Sequence, residues 1–311
     1  MQVLVSQEHD DEVGAQLLAD VDGVEVVRYA PAAPELPAEH RSAGVLIPPY
    51  RGSHRPIPLL AQLPDLQLVQ LLTAGADEWS GDVPADVLLA TARGAVAGPV
   101  SEWVLSAILA LYRQWPALVR YQDRGTWAHR KVDADTLAGK RVLIVGAGAI
   151  GMAVARRLPA FEAEATLVVR NARAGVHTAD ELPALLPEHD VVVILAPLTP
   201  ETEGLVDDTF LAAMPDGALL VNAARGRIVD TDALVAELKA ERLRAALDVT
   251  DPEPLPADHP LWTSPGVIIS PHMSRTVPGT SALCYGVAAE QIRAVLGGST
   301  PSNVVVERRT K

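Results

Sequence analysis

Residues 141–158, RVLIVGAGAIGMAVARRL, set three glycines between a run of apolar β-formers and a helix-forming stretch. In that order they describe a strand, a tight turn and a helix that opens near Ala149. Gly146 permits the turn, Gly148 lets a ligand come close to the backbone, and Gly151 allows the helix to pack closely on the strand. The first helical amides, at Ala149 and Ile150, then face outward, where they favour phosphate oxygens. A bare G-x-G-x-x-G also occurs in ordinary glycine-rich turns. Flanked by strand and helix, it describes the dinucleotide-binding turn of a doubly wound α/β domain.

The second strand of that unit, in TLVVRNARAG, indicates which dinucleotide to expect. An NAD site offers an acidic residue about 20 positions past the glycines to hold the ribose hydroxyls. Here the strand ends in Arg170, Asn171 and Arg173, with no carboxylate. A guanidinium pairs bidentately with phosphate, so Arg170, with Asn171 beside it and Arg173 in support, fits the 2′-phosphate of NADP. NAD is the alternative cofactor, and arginines at strand ends are also commonly just solvated.

Composition sets the outer limits. A chain of 311 residues with 49% hydrophobic content is long enough for two domains, each with its own core. A formal net charge of −13 repels polyanions, which excludes nucleic acid and anionic membrane as expected partners. An anionic substrate must then be drawn in by local arginines. The one cysteine, Cys284, excludes a disulfide framework, and the eight histidines show no metal-ligand spacing, so no metal site is expected. MQVLVSQEHDDE lacks the basic start and apolar core of a signal peptide, and VLSAILALY is too short to span a bilayer, so a cytoplasmic location is expected.

Apolar runs at MQVLVS, VEVVRYA, AGVLIPP, LQLVQLLTAG and DVLLATA alternate with helical or loop segments, which predicts a parallel sheet. A long amphipathic segment from Val100 to about Arg120 follows and bridges to the glycine-rich domain. There six strands, RVLIVG, ATLVV, DVVVILA, GALLVNA, LRAALDV and VIIS, alternate with helices. The stretch SALCYGVAAEQIRAVLGG is expected to return to the first domain and to be followed by a short tail. The expected boundaries are residues 1–98 with 282–311 for the first domain and 99–281 for the second.

Three chemically potent residues follow three of these runs: Arg225 in NAARGRIVD, Glu253 in LDVTDPEPLP and His272 in IISPHMSR. In a parallel sheet the carboxyl ends of strands share one edge, so a cation, a carboxylate and an imidazole would converge there. Singly, each has a plainer role as a capping arginine, a turn carboxylate beside prolines, or a satisfied histidine. Three together at the cofactor edge favour a catalytic site. His272 paired with Glu253 suits proton exchange in both directions, and the planar fork of Arg225 suits a carboxylate.

GAGAIG, the long stretch LAPLTPETEGLVDDTFLAAMPDGALLVNAARGRIVDTDALVAEL, ALDVTDPEPLP and SPHMS together give the chain a resemblance to the D-isomer specific 2-hydroxyacid dehydrogenases. It is closest to their short glyoxylate and hydroxypyruvate reductase-like forms, and covers nearly the whole length. The resemblance implies a Rossmann domain inserted in a flavodoxin-like catalytic domain, with the active site in the cleft between two doubly wound parallel-sheet domains. It implies that Arg225 binds the substrate carboxylate and oxo oxygen, and that His272, paired with Glu253, exchanges the proton. It further implies that Ala74 and Gly75 in LLTAGADEW receive the carboxylate on their amides. The loop PPYRGSH, with Tyr50, Arg51 and His54, would contact the rest of the substrate, with Arg51 favouring a second anionic group. Asp248 matches a contact to the nicotinamide amide, and Pro197, Thr202 and Ala223 line the cofactor.

A homodimer with the helix after Val100 at its two-fold interface is likewise implied. The chain departs from its relatives at Ser274 and Arg275, which follow the histidine in place of small residues, and at Glu162, where glycine is usual. Expected, then, is a reductase of small 2-oxo acids that prefers NADP, with NAD as the alternative. A dinucleotide-sensing regulatory binding protein on the same fold is the rival from another class.

Overall fold

A computed structural model of the chain describes residues 1–51, 55–79, 81–171 and 174–306. In chain order the first elements are β1 (Gln2–Ser6), α1 (Glu12–Ala19), β2 (Glu25–Tyr29), β3 (Val45–Ile47), β4 (Leu68–Gln70) and β5 (Leu88–Ala90). Then come α2 (Ala97–Tyr112), α3 (Trp115–Asp123), β6 (Arg141–Val145), α4 (Ala149–Arg157), β7 (Glu164–Val169), β8 (His177–Thr178) and α5 (Leu182–Leu185). The remainder is β9 (Val191–Ile194), α6 (Asp208–Ala213), β10 (Leu219–Asn222), α7 (Thr231–Lys239), β11 (Arg244–Leu247), β12 (Val267–Ile269), α8 (Thr280–Leu296) and β13 (Val304–Val306). The chain divides into two compact units, one of residues 1–96 and 277 onward, the other of Ala97–Thr276.

The first unit is a six-stranded sheet in the order β13-β5-β4-β3-β1-β2. Strands β1 to β5 are parallel, in the order 2-1-3-4-5 of the flavodoxin-like fold. The short tail expected after α8 supplies β13, antiparallel to β5, which covers an otherwise open edge. Helix α8 returns to this unit and packs against α1. Gly14 makes that approach possible, because a Cβ there would collide with the ring of Tyr285.

The second unit holds seven parallel strands in the order β12-β11-β10-β9-β6-β7-β8. That is the 3-2-1-4-5-6 order of a Rossmann sheet with one strand added, and the reversal point lies at β6, between β7 and β9. Six strands were expected; β8 is the seventh, a two-residue edge strand paired to β7. Side chains alternate across the sheet as pleating demands. Leu143, Val145, Val192, Ile194 and Leu220 enter one core with Phe210, Leu211, Leu234 and Leu238 of α6 and α7. Val142, Ile144, Val191, Val193 and Val221 enter the other with Val104, Ile108 and Leu111 of α2. Burial on both faces explains why these strands read as continuous apolar runs.

The single helix expected from Val100 to about Arg120 is two helices. Gln114 adopts a left-handed φ of 57° and Pro116 lies in the first turn of α3, so the α2 backbone stops before the next helix begins. Among the described residues, no helix is long and apolar enough to cross a membrane, and no three His, Cys, Asp or Glu side chains group as ligands for a metal ion.

Candidate active site

Several of the residues singled out in the second unit follow the carboxyl ends of its strands. Gly146 follows β6, Arg170 follows β7, Pro197 lies beyond β9, Ala223 and Arg225 beyond β10, Asp248 follows β11, and His272 lies beyond β12. Read across the sheet, the order is His272, Asp248, Arg225, Pro197, Gly146, Arg170. Arg170 and the three polar residues thus lie on opposite sides of the reversal point, where open α/β sheets bind ligands.

The three glycines have distinct surroundings. Gly146 has a φ of 114°, and a Cβ there would run into the backbone of Leu195 and Ala196. Gly151 lies so close to the carbonyl of Gly146 that no side chain fits. Around Gly148, the N-cap of α4, a Cβ would meet nothing within 4 Å. A turn closed on the sheet side and open on the other, with the amides of Ala149 and Ile150 at a helix N-terminus, fits a dinucleotide pyrophosphate.

At the far end of this edge the Arg170 guanidinium, largely exposed, donates to Glu201 Oε1 at 2.9 Å. Sequence reading found the arginine but not this partner, which lies in the loop beyond β9. Asn171 is exposed beside it, and Arg173 and His54 lie outside the described residues. In the same β9 loop the Thr202 hydroxyl donates to the Pro197 carbonyl at 2.7 Å and accepts from the Thr199 amide at 2.8 Å. Thr202 therefore fixes the turn that carries Pro197.

His272 Nδ1 lies 2.7 Å from Glu253 Oε1, an ion pair when the imidazole is protonated. The pair is partly exposed, at 42% and 43% of the side chains. With Nδ1 engaged, Nε2 is the nitrogen left for exchange with a ligand. His272 also has a φ of 52°, in the left-handed region that non-glycine residues avoid. Asp248 holds it there. Its carbonyl accepts from the His272 amide at 2.7 Å, and its buried carboxylate accepts from Ser270 Oγ at 2.6 Å, Met273 N at 2.8 Å and Ser274 N at 3.0 Å. Ser274 is buried in this clasp, and Arg275 beside it is half-buried.

Arg225 is half-buried, with an extended backbone. Its carbonyl accepts from Asn222 Nδ2 at 2.9 Å, and its own Nη1 donates to the Ala224 carbonyl at 2.7 Å. Asn222 Oδ1 in turn accepts from Ala224 N at 3.0 Å, so the buried asparagine shapes the loop that carries the arginine. Gly226 follows because a Cβ there would overlap the backbone of Thr250 and Asp251. The Arg225 loop thus packs directly on the segment that leads to Glu253.

In the first unit, Arg51 follows β3, and Ala74 and Gly75 follow β4, again at carboxyl ends. Arg51 lies 3.6 Å from Asp10 and 5.8 Å over the Tyr50 ring. The Tyr50 amide donates to Asp11, a fully buried carboxylate that also accepts from the Tyr285 hydroxyl at 2.9 Å. Burial raises the pKa of Asp11, opposed by its bonds from Tyr285, Tyr50 and Ser6. Sequence reading missed both aspartates. Thr73 Oγ1 donates to the Gly75 carbonyl at 2.7 Å and so shapes the turn that carries Ala74.

Comparison with known proteins identifies the family. Residues 105–274 match the NAD binding domain of the D-isomer specific 2-hydroxyacid dehydrogenases. A glyoxylate reductase of Thermofilum pendens is 32% identical over 257 residues, 78% of this chain and 75% of that one. A glyoxylate/hydroxypyruvate reductase A of Serratia proteamaculans is 32% identical over 264 residues, 80% of this chain and 83% of its own. Among solved structures, a D-isomer specific 2-hydroxyacid dehydrogenase of Xanthobacter autotrophicus Py2 in complex with NADPH and MES superposes with a TM-score of 0.82. It is 29% identical, and the match covers 98% of this chain and 97% of that one.

Proposed function

The chain belongs to the D-isomer specific 2-hydroxyacid dehydrogenase family and is an NAD(P)-dependent enzyme, and from that premise we propose that it reduces a small 2-oxo acid to the D-2-hydroxy acid, with NADPH preferred to NADH. Glyoxylate and hydroxypyruvate are the first substrates to try, since reductases of these acids are among its relatives. The observation that carries the reading is the His272–Glu253 pair at 2.7 Å on the sheet edge that also bears Arg225 and the glycine turn.

The residues divide the work as follows. Arg225 holds the substrate carboxylate and oxo oxygen in its planar fork, which selects 2-oxo acids over simple ketones and stabilises charge that develops on oxygen. Gly146, Gly148, Ala149, Ile150 and Gly151 hold the dinucleotide pyrophosphate, and Arg170 with Asn171 holds the adenosine end. Pro197, Thr202, Ala223 and Asp248 border the nicotinamide end. When bound, the reduced nicotinamide supplies hydride to the oxo carbon. His272 Nε2 gives its proton to the oxygen, and Glu253 fixes the ring through Nδ1 and stabilises the charged imidazolium. In the first unit, the amides of Ala74 and Gly75 and the guanidinium of Arg51 suit anionic groups of a ligand.

A homodimer accompanies this reading. Helix α2 buries its apolar side chains within its own unit, whereas Trp115 and Val119 of α3 and Trp127 just beyond are exposed, Trp127 at 89%. A second copy is the occupant proposed for that patch. Sedimentation of the wild type and of a Trp127→Ser variant tests it.

The test of function is oxidation of NADPH and NADH, followed by absorbance, against glyoxylate, hydroxypyruvate, pyruvate and larger 2-oxo acids. His272→Gln should lose turnover by about two to four orders of magnitude while binding NADPH as the wild type does. Undiminished turnover in that variant defeats the role of His272. Wild-type protein that binds either cofactor but turns over no acid favours the sensing scaffold instead.

A further inference from the structure

We infer that Glu201 is a specificity-determining residue that sets how strongly the protein prefers NADPH over NADH, by competing with the 2′-phosphate for Arg170. The inference rests on the reading of Arg170 as the ligand of that phosphate. Strands β7 and β9 are the two neighbours of β6, so Arg170 after β7 and Glu201 beyond β9 join the two loops that flank the glycine turn. The guanidinium that a 2′-phosphate needs is therefore already hydrogen-bonded, at 2.9 Å, to a carboxylate.

Glu201 is held charged. The Thr199 hydroxyl foremost, then its own backbone amide and Arg170, keep its carboxyl below the usual glutamate range. A 2′-phosphate bound through Arg170 either displaces Glu201 or shares the guanidinium with it, and in both cases sits beside a like charge. NADH brings only ribose hydroxyls to the same place. A carboxylate accepts hydrogen bonds from hydroxyls, which is the role of the acidic residue that β7 lacks in this chain. One side chain from a neighbouring loop thus penalises one cofactor and tolerates or aids the other. Both side chains are exposed, at 70% and 57%, so the pair opens at small cost and the effect is a graded bias.

The experiment is calorimetric titration of NADPH and NADH into the wild type, Glu201→Gln and Arg170→Gln, with circular dichroism to verify the fold of each. Glu201→Gln should raise the ratio of NADPH to NADH affinity by about fivefold, mostly through tighter NADPH binding. Arg170→Gln should lower the same ratio by tenfold or so. A ratio that is unchanged or lowered in Glu201→Gln, while Arg170→Gln lowers it, overturns the inference and leaves the reading of Arg170 intact. An unchanged ratio in Arg170→Gln removes that reading, and the inference with it.

Discussion

Asp248 grips the segment of His272 at both ends: its carbonyl takes the His272 amide at 2.7 Å while its buried carboxylate takes the amides of Met273 and Ser274 at 2.8 and 3.0 Å. A histidine at φ 52° persists only where its surroundings over-determine it, and this clasp does so. Asp248→Asn keeps the shape but gives up the negative charge and one of the two acceptor oxygens. Bonds to a charged acceptor contribute about 1.5–3 kcal/mol, so the variant should melt several degrees lower. Turnover should fall at least tenfold, because the imidazole is no longer held in one geometry. Unaltered melting and turnover would mean that the clasp is dispensable.

Arg225→Lys preserves charge and loses the fork. A lysine presents a point charge that cannot bridge a carboxylate and an adjacent oxo oxygen in one plane. Steady-state kinetics with the best 2-oxo acid should show kcat/KM reduced by about a hundredfold or more, with NADPH affinity unchanged. A lysine variant within threefold or so of the wild type would place the substrate carboxylate elsewhere.

Much of this edge was legible in the chain because a parallel sheet makes placement simple. Any residue that follows a buried strand lands on one edge, so the apolar runs before Gly146, Arg170, Arg225, Asp248 and His272 were enough to group them. What could not be read depends on long-range contact or on very short elements. QEHDDE looks like a solvated acidic run, and only the fold buries Asp11 beneath the Tyr50 amide and the Tyr285 hydroxyl, 274 residues away. Glu201 looks like a surface residue until β6 sets its loop opposite that of Arg170. His177–Thr178 and Val304–Val306 are too short to show a period of two, yet each forms a sheet edge. The break between α2 and α3 was signalled by Pro116, but the apolar pattern on either side concealed it.

Glu162 ends the turn after α4 with a φ of 57°, and its amide donates back to the Leu158 and Pro159 carbonyls. The left-handed conformation costs an ordinary residue about 1 kcal/mol and glycine almost nothing. Glu162→Gly should therefore stabilise the protein, by about 0.5 kcal/mol after the added freedom of the unfolded chain is subtracted. Chemical denaturation should show a higher midpoint with an unchanged slope, and turnover should stay the same. A lower midpoint would mean that the Glu162 side chain contributes more than its backbone costs.

Asp11 gives a pH dependence with a definite sign. Burial holds its carboxyl above the ordinary value of 3.8, so between that value and its folded pKa the native state binds more protons than the unfolded one. Stability from this group is then fullest at the acid end and declines as pH rises through the window. Asp11→Asn abolishes the titration and leaves every other group in place. The wild-type unfolding free energy minus that of the variant should fall as pH is raised from about 4 toward 7, as followed by urea denaturation at each pH. If that difference instead rises with pH, the bonds from Tyr285, Tyr50 and Ser6 outweigh burial, and Asp11 is a well-solvated anion in all but location. Since Asp11 holds the Tyr50 amide beside Arg51, the same variant should also raise KM for the 2-oxo acid more than it lowers kcat.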